Sequence, residues 1–305
     1  MQHRTNERGY SEKCLQKAHL KIDELKTIES NQYIDKSNIP QFPAPVEFHI
    51  SKLSHVTGIS GLKGIIQDCG FKPQNNTSGL LYWSLDIDSD DIVAAEQRFL
   101  NSCFPQRTEA QAAQQKPFLH LFTTSPAFEK KSRYGNFRFT FPLQELLHEY
   151  RRQVCGGTEP VLRVYETILY KQEIVYSVVV HSPEVHKFDE FPLLDDNAHG
   201  VCAVKEGLVI WRPEAMSETH RHELKESSEN TFCVSQMIDH EYYVWDHVVF
   251  VFHLRPGQTL CFTPERLRNT LTACENDRIK LRGNEFVDFS SAVERVNEIR
   301  TSPVE

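Results

Sequence analysis

Two neighbouring runs, Glu159-Pro-Val-Leu-Arg-Val-Tyr-Glu166 and Tyr170-Lys-Gln-Glu173-Ile-Val-Tyr-Ser-Val-Val-Val-His181, carry the strongest β signal in the chain. β-branched and aromatic residues dominate both, and runs of this length fit strands better than helices. A chain that contains them must build a sheet. Further strand-like runs lie at 48–57, 80–85, 137–141, 207–211 and 244–253, and 118–126 reads as a strand and turn.

Helical spacing appears between these runs. Leu62, Ile65 and Ile66 share one face, and Gly70 suits the left-handed residue that closes a helix. Ser89, Asp90 and Asp91 favour the positive end of a helix bearing Ile92, Val93, Ala95, Phe99 and Leu100. Pro142 opens a third helix with Leu143, Leu146, Leu147 and Tyr150 on one side, and a modest fourth covers 292–299. The segment 106–116 is polar and helical at best. Together these patterns predict an α+β fold of mixed, mainly antiparallel sheets with short helices.

The 305 residues, 39% of them hydrophobic and 10% aromatic, suffice for one large core or two ordinary ones. Polar residues 1–40 read as a flexible N-terminal arm ending at the proline-bearing Gln41-Phe-Pro-Ala-Pro45. Residues 41–195 read as the main domain. The acidic, proline-containing stretch Phe188 to Gly200 suggests its edge near 195. Residues 196–305 form a C-terminal strand-rich region that either stands apart or completes the same sheet.

Charge and motifs exclude several classes. A net charge of −8 and a pI near 6.0 argue against broad nucleic-acid binding, although Lys130, Lys131, Arg133 and Arg138 form a local basic patch. No stretch has the roughly 18 uninterrupted apolar residues of a membrane span, and Met-Gln-His-Arg-Thr-Asn-Glu-Arg lacks a secretory apolar core. A soluble, cytoplasmic protein is expected, in which the glycosylation-like triplets at Asn75 and Asn76 mean nothing. The eight cysteines include no Cys-x-x-Cys pair and read as reduced, mostly structural thiols. Asp86-Ile-Asp-Ser-Asp-Asp91 lacks the glycine and closing glutamate of a calcium loop. His220-Arg-His222-Glu223, with His240 and His247, lacks a third ligand at a recognisable spacing, so no metal is expected. Nucleophile-elbow, Walker and dinucleotide-fingerprint motifs are absent, which disfavours those hydrolases, kinases and dehydrogenases.

The stretch Phe48 to Thr57 reads as a short strand ending in His55 and Thr57, followed by a turn at Gly58 and the helix closed by Gly70. A polar pair at a strand end beside a helix N-terminus suits an anionic ligand, because free backbone N–H groups point outward there. The plainer reading is a capping threonine and a satisfied histidine.

His55-x-Thr57, Leu62-x-x-Ile65-Ile66 and Gly70-Phe71 resemble the first motif of the ADP-ribosyltransferase superfamily, in its poly-ADP-ribose polymerase and diphtheria-toxin-like branch. The resemblance spans roughly residues 46–185 and implies an ADP-ribosyltransferase-like fold that takes NAD as substrate. It implies that His55, beside Thr57, holds the ribose and nicotinamide side of NAD. Tyr82 or Trp83, in the strand Leu80-Leu-Tyr-Trp-Ser-Leu85, would stack on nicotinamide. Arg133, ahead of Tyr134-Gly135 and an apolar strand, would pair with the pyrophosphate. Glu173 would hydrogen-bond a ribose hydroxyl and stabilise the sugar cation as nicotinamide leaves. His55, Tyr82 and Glu173 would then be catalytic, and the acceptor would be an unidentified protein.

Val56 stands where the polymerase branch commonly has glycine, and Glu241-Tyr-Tyr-Val-Trp-Asp246 echoes the Glu173 run, offering Glu241 and Asp246 as rival acids. On residue type alone, Tyr82 and Trp83 also fit as core aromatics, Arg133 as a surface cation and Glu173 as an edge residue. His55-Val-Thr-Gly-Ile-Ser-Gly and Gly79-Leu-Leu-Tyr-Trp-Ser-Leu also look like a virus-induced, interferon-responsive fish family with polymerase-like homology. That second resemblance implies a scaffold or innate-immune interaction protein without turnover.

Overall fold

The computed structural model describes residues 1–6, 9–35, 46–73, 78–195, 200–214, 221–227, 229–237, 244–277 and 285–302. Nine strands form its main sheet, in the order Gln2–Thr5, Ser11–Gln16, Val161–Tyr170, Glu173–His181, Trp245–His253, Leu80–Leu85, Lys52–Thr57, Phe137–Pro142 and Leu271–Ala273. All neighbours run antiparallel except Glu173–His181 and Trp245–His253, which are parallel. The expected α+β class and mainly antiparallel pairing are observed.

Side chains alternate across a strand, and directly paired residues share a face. Val178, Phe250, Trp83 and Phe139 therefore look to one side with His55, while Ser177, Val249, Ser84 and Ser54 look to the other. The first side holds the large core. Trp83, Phe71, Phe139, Phe141, Phe250 and Phe252 are fully buried there. Their rings meet edge-on, Phe71 lying 4.9 Å from Trp83 and 5.3 Å from Phe139, the arrangement that aligns ring edges with ring faces. Each such phenylalanine contributes about 1.5–3 kcal/mol of burial free energy. Leu143–Val154 packs on this side, its Tyr150 hydroxyl donating to the His253 carbonyl at 2.6 Å.

The other side is partly covered by chain segments. Residues 182–191 fold back so that Phe188 covers Leu80, Val179 and Val251. Farther along, residues 126–138 line the same side with Trp211, which belongs to a three-stranded sheet of Cys202–Lys205, Leu208–Trp211 and Phe48–Ile50.

Several expectations are corrected. The described part of residues 1–40 is no flexible arm: its hairpin forms one edge of the sheet, and Ile22–Ile28 buries Ile22 and Leu25. Arg4 ties it down, donating to Glu12 at 2.6 Å and, through both terminal nitrogens, to the buried Glu166 at 2.7 and 2.9 Å. The proline stretch 41–45 and the Asn75 and Asn76 triplets lie outside the described residues. Trp245–His253 lies inside the main sheet, between Glu173–His181 and Leu80–Leu85, so strands from both sides of residue 195 share that sheet.

The run at 118–126 is not a strand. It holds the 3₁₀ turn Leu119–Phe122, because the buried Glu96 carboxylate accepts from the N–H groups of Phe118 and Leu119 at 2.8 and 2.7 Å. The segment around His222 pairs as His222–Ser227 with Thr231–Gln236. Among the described residues no helix is long and apolar enough to cross a membrane.

Replacing Arg4 with methionine leaves Glu12 and Glu166 buried without their cation. Removing one partner of a fully buried ion pair costs about 3–5 kcal/mol. Arg4 is 34% exposed, so urea unfolding is expected to show a loss of about 2 kcal/mol, reduced by solvent screening.

Candidate functional site

The side of the sheet facing away from the large core contains a small open cleft of about 90 Å³. Its position follows from the central parallel pair. Trp245 is registered against Glu173, and His247 against Val175, so all three functional side chains emerge on one face. The 126–138 segment brings Arg133 over them.

Gly135 allows that approach. Its φ of +148° and the Thr57 carbonyl oxygen, 2.2 Å from where a Cβ would stand, leave room only for hydrogen. Asn136 then locks the segment to the chain downstream. Its side-chain amide donates to the Cys274 carbonyl and the Asn276 side chain, and its oxygen accepts from the Val287 N–H at 2.9 Å.

Arg133 lies at the centre of the site. Its Nε donates to Asp277 at 2.7 Å, a terminal nitrogen donates to Glu173, and its guanidinium lies 5.0 Å from the centre of the Trp245 ring. Burial works against its charge, but Glu173 and Asp277 outweigh that effect and hold its pKa above the usual value. Burial raises the Glu173 carboxyl, with Arg133 opposing. The His247 ring lies tilted against Trp245 at 4.9 Å, and burial, assisted by Arg133, pushes its pKa down to about 3. It is a neutral imidazole at ordinary pH.

A second ionic group lines the same cleft. Lys130 donates to Asp86 at 2.8 Å, and Arg138 stands 3.7 Å from Asp86 while donating to the Lys130 carbonyl at 3.0 Å. The basic patch legible in the sequence thus converges here, each of its cations lying within 4 Å of a carboxylate.

The six residues singled out from the sequence do not converge. Arg133 and Glu173 touch one another in the cleft. Tyr82, 43% exposed, shares their side of the sheet by alternation but stands outside the cleft lining. His55, Thr57 and Trp83 face the opposite side. The His55 ring packs 5.4 Å from Phe71 and 5.5 Å from Trp83, its Nδ1 is 2.9 Å from the Tyr82 carbonyl, and burial lowers its pKa. Thr57 abuts the helix at Gly61, and Trp83 is fully buried core.

The expectation of His55, Tyr82 and Glu173 around one NAD is therefore not met, because strand alternation and pairing put a hydrogen-bonded sheet between His55 and Glu173. Asp246 is buried on the core side, 3.4 Å from the Glu214 N–H, while Glu241, His220 and His240 lie outside the described residues. Among the described residues no cluster of three or more potential metal ligands occurs. Trp245, Asp277, Asp86 and Trp211 were not recognisable as site residues beforehand, since only pairing between distant segments assembles them.

No family model, curated protein or solved structure matches the chain.

His247 is neutral in the fold down to about pH 3, whereas its free counterpart takes up a proton near 6.5. Between these values the unfolded chain binds more protons, so stability falls as pH falls. His253, buried and pushed down to about 4, acts in the same sense over the window from 6.5 to 4. The melting temperature should therefore drop progressively below pH 6.5, and His247→Gln should flatten that profile.

Proposed function

We propose that the cleft binds NAD, or a nucleotide of the same chemistry, without transferring ADP-ribose through His55, Tyr82 and Glu173. The observation that carries this reading is Arg133, held on the Trp245 ring between Glu173 and Asp277. A guanidinium suits phosphate oxygens, carboxylates accept from ribose hydroxyls, and an indole face suits a planar base. Neutral His247 adds a hydrogen-bonding group of no net charge. Arg133 and Glu173, which the ADP-ribosyltransferase resemblance assigns to the pyrophosphate and the ribose, both line this cleft and support NAD as the nucleotide. Separation of His55 from Glu173 by the sheet favours binding over turnover, since groups acting on one ligand must line one cavity.

The test is titration of the purified protein with NAD, followed by tryptophan emission and by chromatography of free nicotinamide. Binding should quench emission in the wild type, with the response diminished in Trp245→Phe. Arg133→Lys retains the charge but loses the planar fork, and affinity should fall roughly tenfold, near 1.4 kcal/mol. Nicotinamide should stay bound in NAD. Absence of binding at millimolar NAD would overturn the proposal, and nicotinamide release abolished by Glu173→Gln would restore transfer in place of binding alone.

A further inference from the structure

At the end of the sheet away from the cleft, two buried histidines lie beneath a strap of chain. His181 closes one central strand and His253 closes its parallel neighbour. Residues 182–194 leave His181 and lay the Phe188 ring 5.1 Å from His181 and 5.3 Å from His253, covering Leu80, Val179 and Val251. The strap then runs along Val161–Tyr170. There the Val164 N–H donates to the Pro192 carbonyl at 2.8 Å, and the Leu194 N–H to the Leu162 carbonyl at 3.0 Å.

One side chain fastens this strap. Arg163 donates through a terminal nitrogen to the Phe191 carbonyl at 2.7 Å, stands 3.6 Å from Asp189, and donates through Nε to the Nε2 of His181 at 3.0 Å. A guanidinium accepts nothing, so the His181 Nε2 must be the acceptor and the ring proton lies on Nδ1, 2.8 Å from the Ser182 carbonyl. The closed arrangement thus requires a neutral ring. A second proton on His181 would set N–H against N–H and cation against cation.

The charges around the two rings act in the same direction. Lys187 of the strap lies 4.8 Å from the centre of the Phe188 ring, and Arg255, just beyond His253, is paired with Glu184. Burial lowers both histidines, His253 to about 4; Lys187 adds to the effect at both rings, Arg255 at His253 and Arg163 at His181. Asp189, 2.9 Å from the exposed His186 ring, opposes it at His181. Lys17 and Glu190 at the rim pair with one another. Tyr165 against Phe188, Tyr150 beneath the His253 carbonyl and Cys155 are kept neutral by burial.

We infer that the 182–194 strap is an acid-released cover: when His181 and His253 take up protons, Arg163 loses its hold and the apolar patch of Leu80, Val179 and Val251 is uncovered. This device is independent of what the cleft binds. Its direction follows from linkage. Both rings are neutral beneath the closed strap and titrate nearer the ordinary 6.5 once it leaves. The released form therefore binds more protons and is favoured as pH falls below 6.5.

Hydrogen exchange read by mass spectrometry on the full chain, with labelling times scaled to the intrinsic amide rate, compares about pH 7 with about pH 5. Peptides covering 185–194 should lose about tenfold in protection at the lower pH, while Lys52–Thr57 and Phe137–Pro142 keep theirs. His181→Gln combined with His253→Gln supplies an amide oxygen that accepts from Arg163 but takes up no proton, and should hold strap protection constant. Lys187→Gln, at an exposed position, removes a cation that acts on both rings and should narrow the difference between the two pH values. It decides the matter if the double variant fails to fold, since an unchanged difference there counts against the switch. Strap protection retained at the lower pH, or lost only in step with the whole sheet, overturns the inference. The same loss in a folded double variant also overturns it and assigns the acid response to the carboxylates.

Discussion

The parallel pairing of Trp245–His253 with Glu173–His181 is the contact on which the rest of the molecule depends. Parallel strands need a long crossover, and the chain between these two supplies two strands of the three-stranded sheet and the His222 hairpin before returning. Because Trp245–His253 also pairs with Leu80–Leu85, it joins the N-terminal and C-terminal halves through one continuous ladder. Its alternating side chains serve both faces: Phe250 and Phe252 enter the core, while Trp245 and His247 line the cleft.

Charge burial accompanies this topology. Arg4 with Glu12 and Glu166, and Arg133 with Glu173 and Asp277, each bring together segments more than a hundred residues apart. Such groups gain little over an apolar replacement, because desolvation offsets much of the attraction. Their effect lies in specificity, since an unmatched register would strand a charge away from water. The first group fixes the edge hairpin. The second gathers a cation, two carboxylates and a tryptophan along the wall of one cleft.

The two sides of the sheet divide the labour. On one side aromatic packing is continuous, and His55 has become part of it, its ring between Phe71 and Trp83. On the other, small residues at Ser54, Val56 and Ser84 leave the sheet surface shallow enough for a cleft. A histidine and a glutamate that resemble parts of one catalytic set are thereby assigned separate roles.

Much of the secondary structure was legible in the sequence, because alternation and helical spacing are local. The strands at 80–85, 137–141, 170–181 and 244–253, and the helices bearing Leu62, Phe99, Leu146 and Ala292, follow from their own residues. The N-terminal hairpin was not legible, since its inward residues include Glu12, whose burial is intelligible only beside Arg4. Nor was the turn at Leu119–Phe122, whose strand-like residues are overruled by the Glu96 carboxylate. In the candidate site, Arg133 and Glu173 were identifiable by residue type and position, and the basic patch by composition. By itself the sequence determined which segments can be strands and which charges are available. Only tertiary structure decided which face each strand turns to the cleft and which carboxylate meets which cation, because a one-residue change of register sends every side chain of a strand to the opposite side.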